Sequence, residues 1–165
     1  MAFESLKPLS NFKHYEKYAD FVKLAEADTQ LTFLPNNIQG LYVENGENTY
    51  QGPWGVDVDI AYGAHYFEYL DKITHLIELE DLKLIGLYVS GLPQSFPNLK
   101  KLHTLELCFA KKTNVDEVIR ILEKMPSLKR LDINHSRLST KQRIQINKAL
   151  SKKGVFVNDY IYLSN

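Results

Sequence analysis

Leu79-Glu80-Asp81-Leu82-Lys83-Leu84 and its echo Leu102-His103-Thr104-Leu105-Glu106-Leu107 decide how this chain is read. Both spell an apolar residue, two variable residues, an apolar residue, one variable residue and a third apolar residue. Leu128, Leu131 and Ile133 make another copy, and Ile38, Leu41 and Val43 an earlier one. Weaker copies carry Val58 and Ile60 after Gly55, and Val155 and Val157 after Lys152. The units therefore start at 38, 55, 79, 102, 128 and 152, separated by 17, 24, 23, 26 and 24 residues. In a short strand, alternate side chains point to opposite faces. The fourth and sixth positions of each unit thus point into a core, and the third, fifth and seventh point out. One such unit cannot bury its apolar side alone, so neighbouring units must stack.

The segments between these strands return the chain to the start of the next. Leu92-Pro93-Gln94-Ser95-Phe96-Pro97-Asn98-Leu99 holds two prolines and predicts an irregular return. Residues 114–125 predict a helix, with Asn114 as its cap, Glu117 at the capping-box position, and Val118, Leu122 and Met125 on one face. Pro126 ends it. Residues 139–152 repeat the design: Ser139 and Gln142 form a capping box, Ile146 and Leu150 face the strands, and Gly154 follows the end. Tyr66, Tyr69, Leu70 and Ile73 predict a further helix over 64–73. Residues 1–34 lack the repeat; Phe12, Tyr15, Tyr18, Phe21, Val22 and Ala25 predict an amphipathic helix that caps the open end of the core. Tyr160, Ile161, Tyr162 and Leu163, within residues 159–165, are read as a closing segment at the opposite end.

On these motifs the chain resembles the leucine-rich-repeat family. The resemblance spans about residues 36–158, as five to six units, and is carried most strongly by 76–138. It implies an α/β solenoid, with parallel strands on a concave face and helices and irregular segments on the convex one. The Asn that the family places ninth is replaced by Leu87, Ala110 and Ser136, of which Ser136 alone offers a hydrogen-bonding side chain. The family's concave faces bind proteins, so the resemblance also implies a protein partner.

Composition narrows the function further. The 165 residues, 44% hydrophobic and 24% charged, suit one globular domain. Twenty basic residues balance twenty acidic ones, which argues against a general nucleic-acid or membrane-surface binder. No apolar run is long enough to span a bilayer, and the first residues do not read as a signal peptide. With the single cysteine, Cys108, this makes a reducing cytoplasm the expected compartment. The balance conceals a polarity: residues 1–82 carry a net −9 and residues 83–165 a net +9.

The repeat frame also specifies an outward surface. Its third positions are Gly40, Asp57, Asp81, Thr104, Arg130 and Gly154; its fifth are Tyr42, Asp59, Lys83, Glu106, Asp132 and Phe156. Glu44, Ala61, Ile85, Cys108, Asn134 and Asn158 are seventh, with Tyr62, Phe109 and His135 just beyond. Six acids (Glu44, Asp57, Asp59, Asp81, Glu106, Asp132) outnumber two bases, Lys83 and Arg130. Acidic rows set with aromatics suit a basic protein partner, since charge steers encounter and buried aromatics supply binding energy. The candidate contact residues are Tyr42, Asp57, Asp59, Tyr62, Asp81, Lys83, Glu106, Phe109, Arg130, Asp132, His135 and Phe156. Lys141, Arg143, Lys148, Lys152 and Lys153 fall on the convex or C-terminal side.

No phosphate-loop, dinucleotide, zinc-protease or serine-hydrolase motif occurs, and the five histidines lack metal-ligand spacing. Neither a cofactor nor a metal is expected. Asp57, Asp59 and Asp81 have the oxygen chemistry for a cation but no glycine-rich loop beside them. Cys108 and His135, on neighbouring strands, are the one foothold for an enzyme. The expected role is a non-enzymatic protein-binding module, in the manner of an immunity protein that blocks a cognate bacterial toxin. The alternative is an adaptor or substrate-recognition subunit of a larger cytosolic complex.

Overall fold

A computed structural model describes residues 11–46 and 65–159. Six strands form one parallel sheet in chain order: β1 (Phe12–Tyr15), β2 (Gly40–Glu44), β3 (Asp81–Val89), β4 (Thr104–Phe109), β5 (Arg130–Asp132) and β6 (Phe156–Asn158). Among the described residues four α-helices accompany them: α1 (Tyr18–Ala27), α2 (Leu70–Ile73), α3 (Val115–Leu122) and α4 (Thr140–Ser151). A single 3-10 turn, Phe96–Asn98, stands between β3 and β4, where the two prolines predict an irregular return. No helix among the described residues is long and apolar enough to cross a membrane.

The alternation expected of the leucine pattern is present. Leu41, Leu82, Leu105, Leu131 and Val157 pair across the sheet in one register. They share a core with Val43, Leu84, Leu107 and Ile133, and with Phe21, Ile73, Phe96, Val118, Leu122, Ile146 and Leu150 from the segments between strands. Helices and returns therefore cover one face of the sheet. The hydrophobic burial of these side chains, about 1.5–3 kcal/mol each, is the main force aligning the strands. A second device locks the register. The amide that opens each strand, or the one before it, donates to the carbonyl preceding the previous strand: Gln39 to Asn11 at 2.7 Å, and Glu80 to Gln39, His103 to Glu80, Lys129 to His103 and Phe156 to Lys129 at 2.8 Å.

Local chemistry sets the helix ends as expected. The Asn114 side chain accepts from the Glu117 amide at 3.2 Å and starts α3. Ser139 and Gln142 form a reciprocal capping box that starts α4, at 3.2 and 2.9 Å. Gly154, past the end of α4, has a φ of +79°, which glycine adopts without the steric cost of a Cβ.

Four expectations need correction. Residues 12–15 form an edge strand rather than the start of a helix, and α1 begins only at Tyr18. On the core side Tyr15, paired with Val43, packs against the core, but the position paired with Leu41 is the exposed Lys13, so the leucine pattern is hidden there. A charge at this position discourages further strand pairing at the edge. The helix expected over 64–73 is confined in the described residues to Leu70–Ile73. Tyr66 instead bridges Tyr88 as an added strand-like segment, and it is Phe67 that enters the core. The last unit is displaced by two residues: Phe156, not Gly154, aligns with Arg130. A two-residue slip preserves which side chains point inward, so the apolar pattern alone tolerates either register. Finally, Phe109 is fully buried in the main core and offers no surface.

The unit expected at 55 falls outside the described residues. β2 pairs directly with β3, which puts Lys83, and no other residue, beside Tyr42 on that side.

β3 departs from the regular ladder. Lys83 faces Glu106 but Tyr88 faces Cys108, so Leu84 to Leu87 stand opposite Leu107 alone. Gly86, with φ at +72°, permits this bulge. Beyond it, Tyr88 receives the Phe67 amide at 2.9 Å and donates to the His65 carbonyl at 2.8 Å.

Candidate functional site

The face of the sheet opposite the core carries two complete rows. One is Phe12, Gly40, Asp81, Thr104, Arg130 and Phe156; the other is His14, Tyr42, Lys83, Glu106, Asp132 and Asn158. Apart from Gly40, these residues are half-buried or exposed, and none belongs to the core. Phe12 and Phe156, 41% and 52% exposed, mark the two ends.

Each end is organised by contacts among the rows. At the β1–β2 end, the Phe12 ring meets Tyr42 edge-on with centroids 4.5 Å apart. The Tyr42 hydroxyl donates to Asp81 Oδ2 at 2.6 Å, and Lys83 Nζ lies 4.7 Å above the Tyr42 ring. Burial, followed by the bond to Asp81 and the negative charges of Asp81 and Glu106, holds the Tyr42 phenol far above its ordinary titration range. It is therefore a neutral donor at any physiological pH. His14 Nε2 sits 2.5 Å from Glu44 Oε2. Tyr42 is fixed on three sides, which removes the rotamer entropy that a free tyrosine would lose on binding.

At the β5–β6 end, the Arg130 guanidinium stacks 5.1 Å from the Phe156 ring and reaches Asp132 at 4.0 Å. Asp132 also accepts from the Asn158 side chain at 2.8 Å and from the Asn134 amide at 3.2 Å. Between the two ends lies Glu106. Burial is the largest influence on it, and raises its carboxyl pKa above the usual value of 4.5; Asp132 adds to the rise, Lys83 and His135 oppose it, and Asp81 contributes least.

The strand ends are different. Tyr88, Cys108 and Ala110 form a small buried cluster separate from the main core, and the Arg137 guanidinium lies 5.6 Å from the Tyr88 ring. The Ser136 hydroxyl accepts from the buried Phe109 amide at 2.8 Å, the one position where the expected ninth-residue hydrogen bond is made by a side chain. Cys108 is a free, buried thiol in this cluster, whereas His135 is exposed.

Of the candidate contact residues, Tyr42, Asp81, Lys83, Glu106, Arg130, Asp132 and Phe156 come together on this face, with His135 at its margin. Phe109 does not. Asp57, Asp59 and Tyr62 lie outside the described residues. Within the described rows and Glu44 the acids number four and the bases two, a milder excess than the repeat frame implies. Phe12 and His14 are members the frame does not place here, because they belong to the strand whose leucine pattern Lys13 conceals; Asn158, an outward seventh position in the frame, stands beside Asp132 through the two-residue shift of β6.

Away from this face, a shallow polar cleft of about 420 Å³ is lined by Gln30, Asn36, Asp71, Lys72, Thr74 and His75, of which only Thr74 is buried. Nothing in it converges on a bound group. No protein-family model matches the chain, and no curated protein matches it.

Proposed function

We propose that the protein is a leucine-rich-repeat-type solenoid whose open sheet face covers a basic surface on another protein and blocks it, as an immunity protein blocks its toxin. One observation carries this reading: a sheet face with no described helix over it presents two exposed phenylalanines around a preorganised polar row. Exposed aromatics at both ends supply apolar area, and the carboxylates between them steer a basic partner. The strand repeat in chain order and the unbroken leucine core support the solenoid. A protein that acts by occlusion needs a rigid surface and no chemistry of its own. The fixed Tyr42 and the paired Asp132 meet that need.

A photoreactive residue tests this proposal. With p-benzoylphenylalanine in place of Thr104, irradiation in the native host should capture one basic protein, whose activity falls on titration with wild-type chain. The same label in place of Lys148 should not capture it. Capture only from position 148, or a captured protein whose activity is unchanged at saturation, overturns the reading.

A further inference from the structure

Glu106 sits at the middle of the open face, on β4, and differs from every other carboxylate there. Glu44 meets His14, Asp81 accepts from Tyr42, and Asp132 accepts from Asn158 and the Asn134 amide. Among the described residues Glu106 makes no hydrogen bond and no ion pair, although it is half-buried. Lys83, beside it in the row, lies over the Tyr42 ring. The face thus holds a partly desolvated negative charge at its centre with the adjacent base engaged elsewhere.

We propose that the protein partner inserts an arginine here, its guanidinium bridging Glu106 and the neighbouring Asp132. This rests on reading the open face as protein-binding, and adds which side chain it recognises. Arginine fits for three reasons. Its planar fork can serve two carboxylates side by side, as β4 and β5 present them. It is more weakly hydrated than lysine, so it enters a half-buried site at lower cost. A second positive charge also suits the pair, since Arg130, stacked on Phe156, reaches Asp132 at 4.0 Å and Glu106 has no ion pair of its own among the described residues. Burial and Asp132 push the Glu106 carboxyl toward its neutral form in the free protein, and an incoming cation would reverse that push. A partner offering a neutral or acidic group at this point would leave the carboxylate buried and unpaired, which gives the face its selectivity.

The test is a selection of random linear peptides displayed on phage, using the purified chain as bait. The selected peptides are then synthesised and their affinities measured against variants. The expected result is one recurrent arginine, with affinity falling about tenfold or more when that arginine becomes citrulline or when Glu106→Gln is introduced. Glu106→Gln should fold at least as stably as wild type, so a loss of binding is not a loss of fold. Suppose the peptides depend on Phe12→Ala or Phe156→Ala, yet citrulline and Glu106→Gln each change affinity less than about twofold. That result overturns the arginine inference and leaves the protein-binding face standing. Recovery of lysine at the recurrent position also overturns it. A selection yielding no peptide whose binding depends on these three residues overturns both.

Discussion

Arg143 Nη1 donates to Asp159 Oδ1 at 2.6 Å, and both side chains are almost wholly buried. The same guanidinium donates to the Leu138 carbonyl through Nε at 3.1 Å and to the Ser136 carbonyl through Nη2. One side chain on α4 thereby ties the turn after β5 to the residue after β6. Taken as a surface charge among Lys141, Lys148, Lys152 and Lys153, it is in fact the internal fastening of the last unit.

Removing one member should be far worse than removing both. Arg143→Met leaves Asp159 buried without its cation, and Asp159→Asn leaves the guanidinium without its anion. Each should cost about 3–5 kcal/mol in urea unfolding, whereas Arg143→Met with Asp159→Leu should cost less than either alone. Additive losses in that cycle would mean the pair does not act as a unit.

Leu105 lies at the centre of the inward row and is fully buried. Leu105→Ala should lower the unfolding free energy by about 2–5 kcal/mol, the sum of lost transfer energy and a cavity that β3 and β5 cannot close. A loss below about 1 kcal/mol would show that the row does not hold the sheet together.

Glu106 should behave in the opposite way, with its carboxylate weakening the fold. Its pKa in the folded chain is raised above 4.5, chiefly by burial. Below that value both folded and unfolded chains carry the proton, and nothing is lost. As pH rises through the folded pKa, the native state must ionise a half-buried group, so stability falls and stays lower at neutral pH. Glu106→Gln keeps the neutral shape and should melt higher than wild type at pH 7, with the difference vanishing near pH 4. A lower melting temperature at pH 7 would mean the carboxylate is satisfied within the fold.

How much of this was legible in the sequence follows from what its patterns can encode. Leu82, Leu84, Leu105, Leu107, Leu131 and Ile133 are readable because a strand repeats every two residues and each unit supplies the same inward pair. The slip at β6 was not, since Val155 and Val157 fit either register. β1 was hidden because one of its two inward positions holds Lys13 and only the other, Tyr15, packs against the core. The bulge at Gly86 lies in Leu84-Ile85-Gly86-Leu87-Tyr88-Val89, an apolar run with no alternation from which to read a break. On the open face, Tyr42, Lys83, Glu106 and Asp132 were placed correctly by spacing alone. Their pairing was not legible, because which carboxylate keeps a partner depends on neighbours across strands.

Charge reversal distinguishes the open face from the helical side. The partner captured from position 104 should associate more slowly with Glu106→Lys than with wild type, and its association rate should depend less steeply on salt. Exposed charges act at a distance only within a Debye length, about 8 Å at physiological ionic strength. Glu106 makes no bond within the described fold, so Glu106→Lys breaks none of the contacts that fix Tyr42 or Asp132. Lys141 and Lys148 are exposed on α4, outside the two rows of the open face. Lys141→Glu with Lys148→Glu should therefore leave affinity within about twofold of wild type. Stopped-flow association at two salt concentrations measures both effects on one set of proteins. If the α4 pair slows association and Glu106→Lys does not, the open face is not where the partner docks.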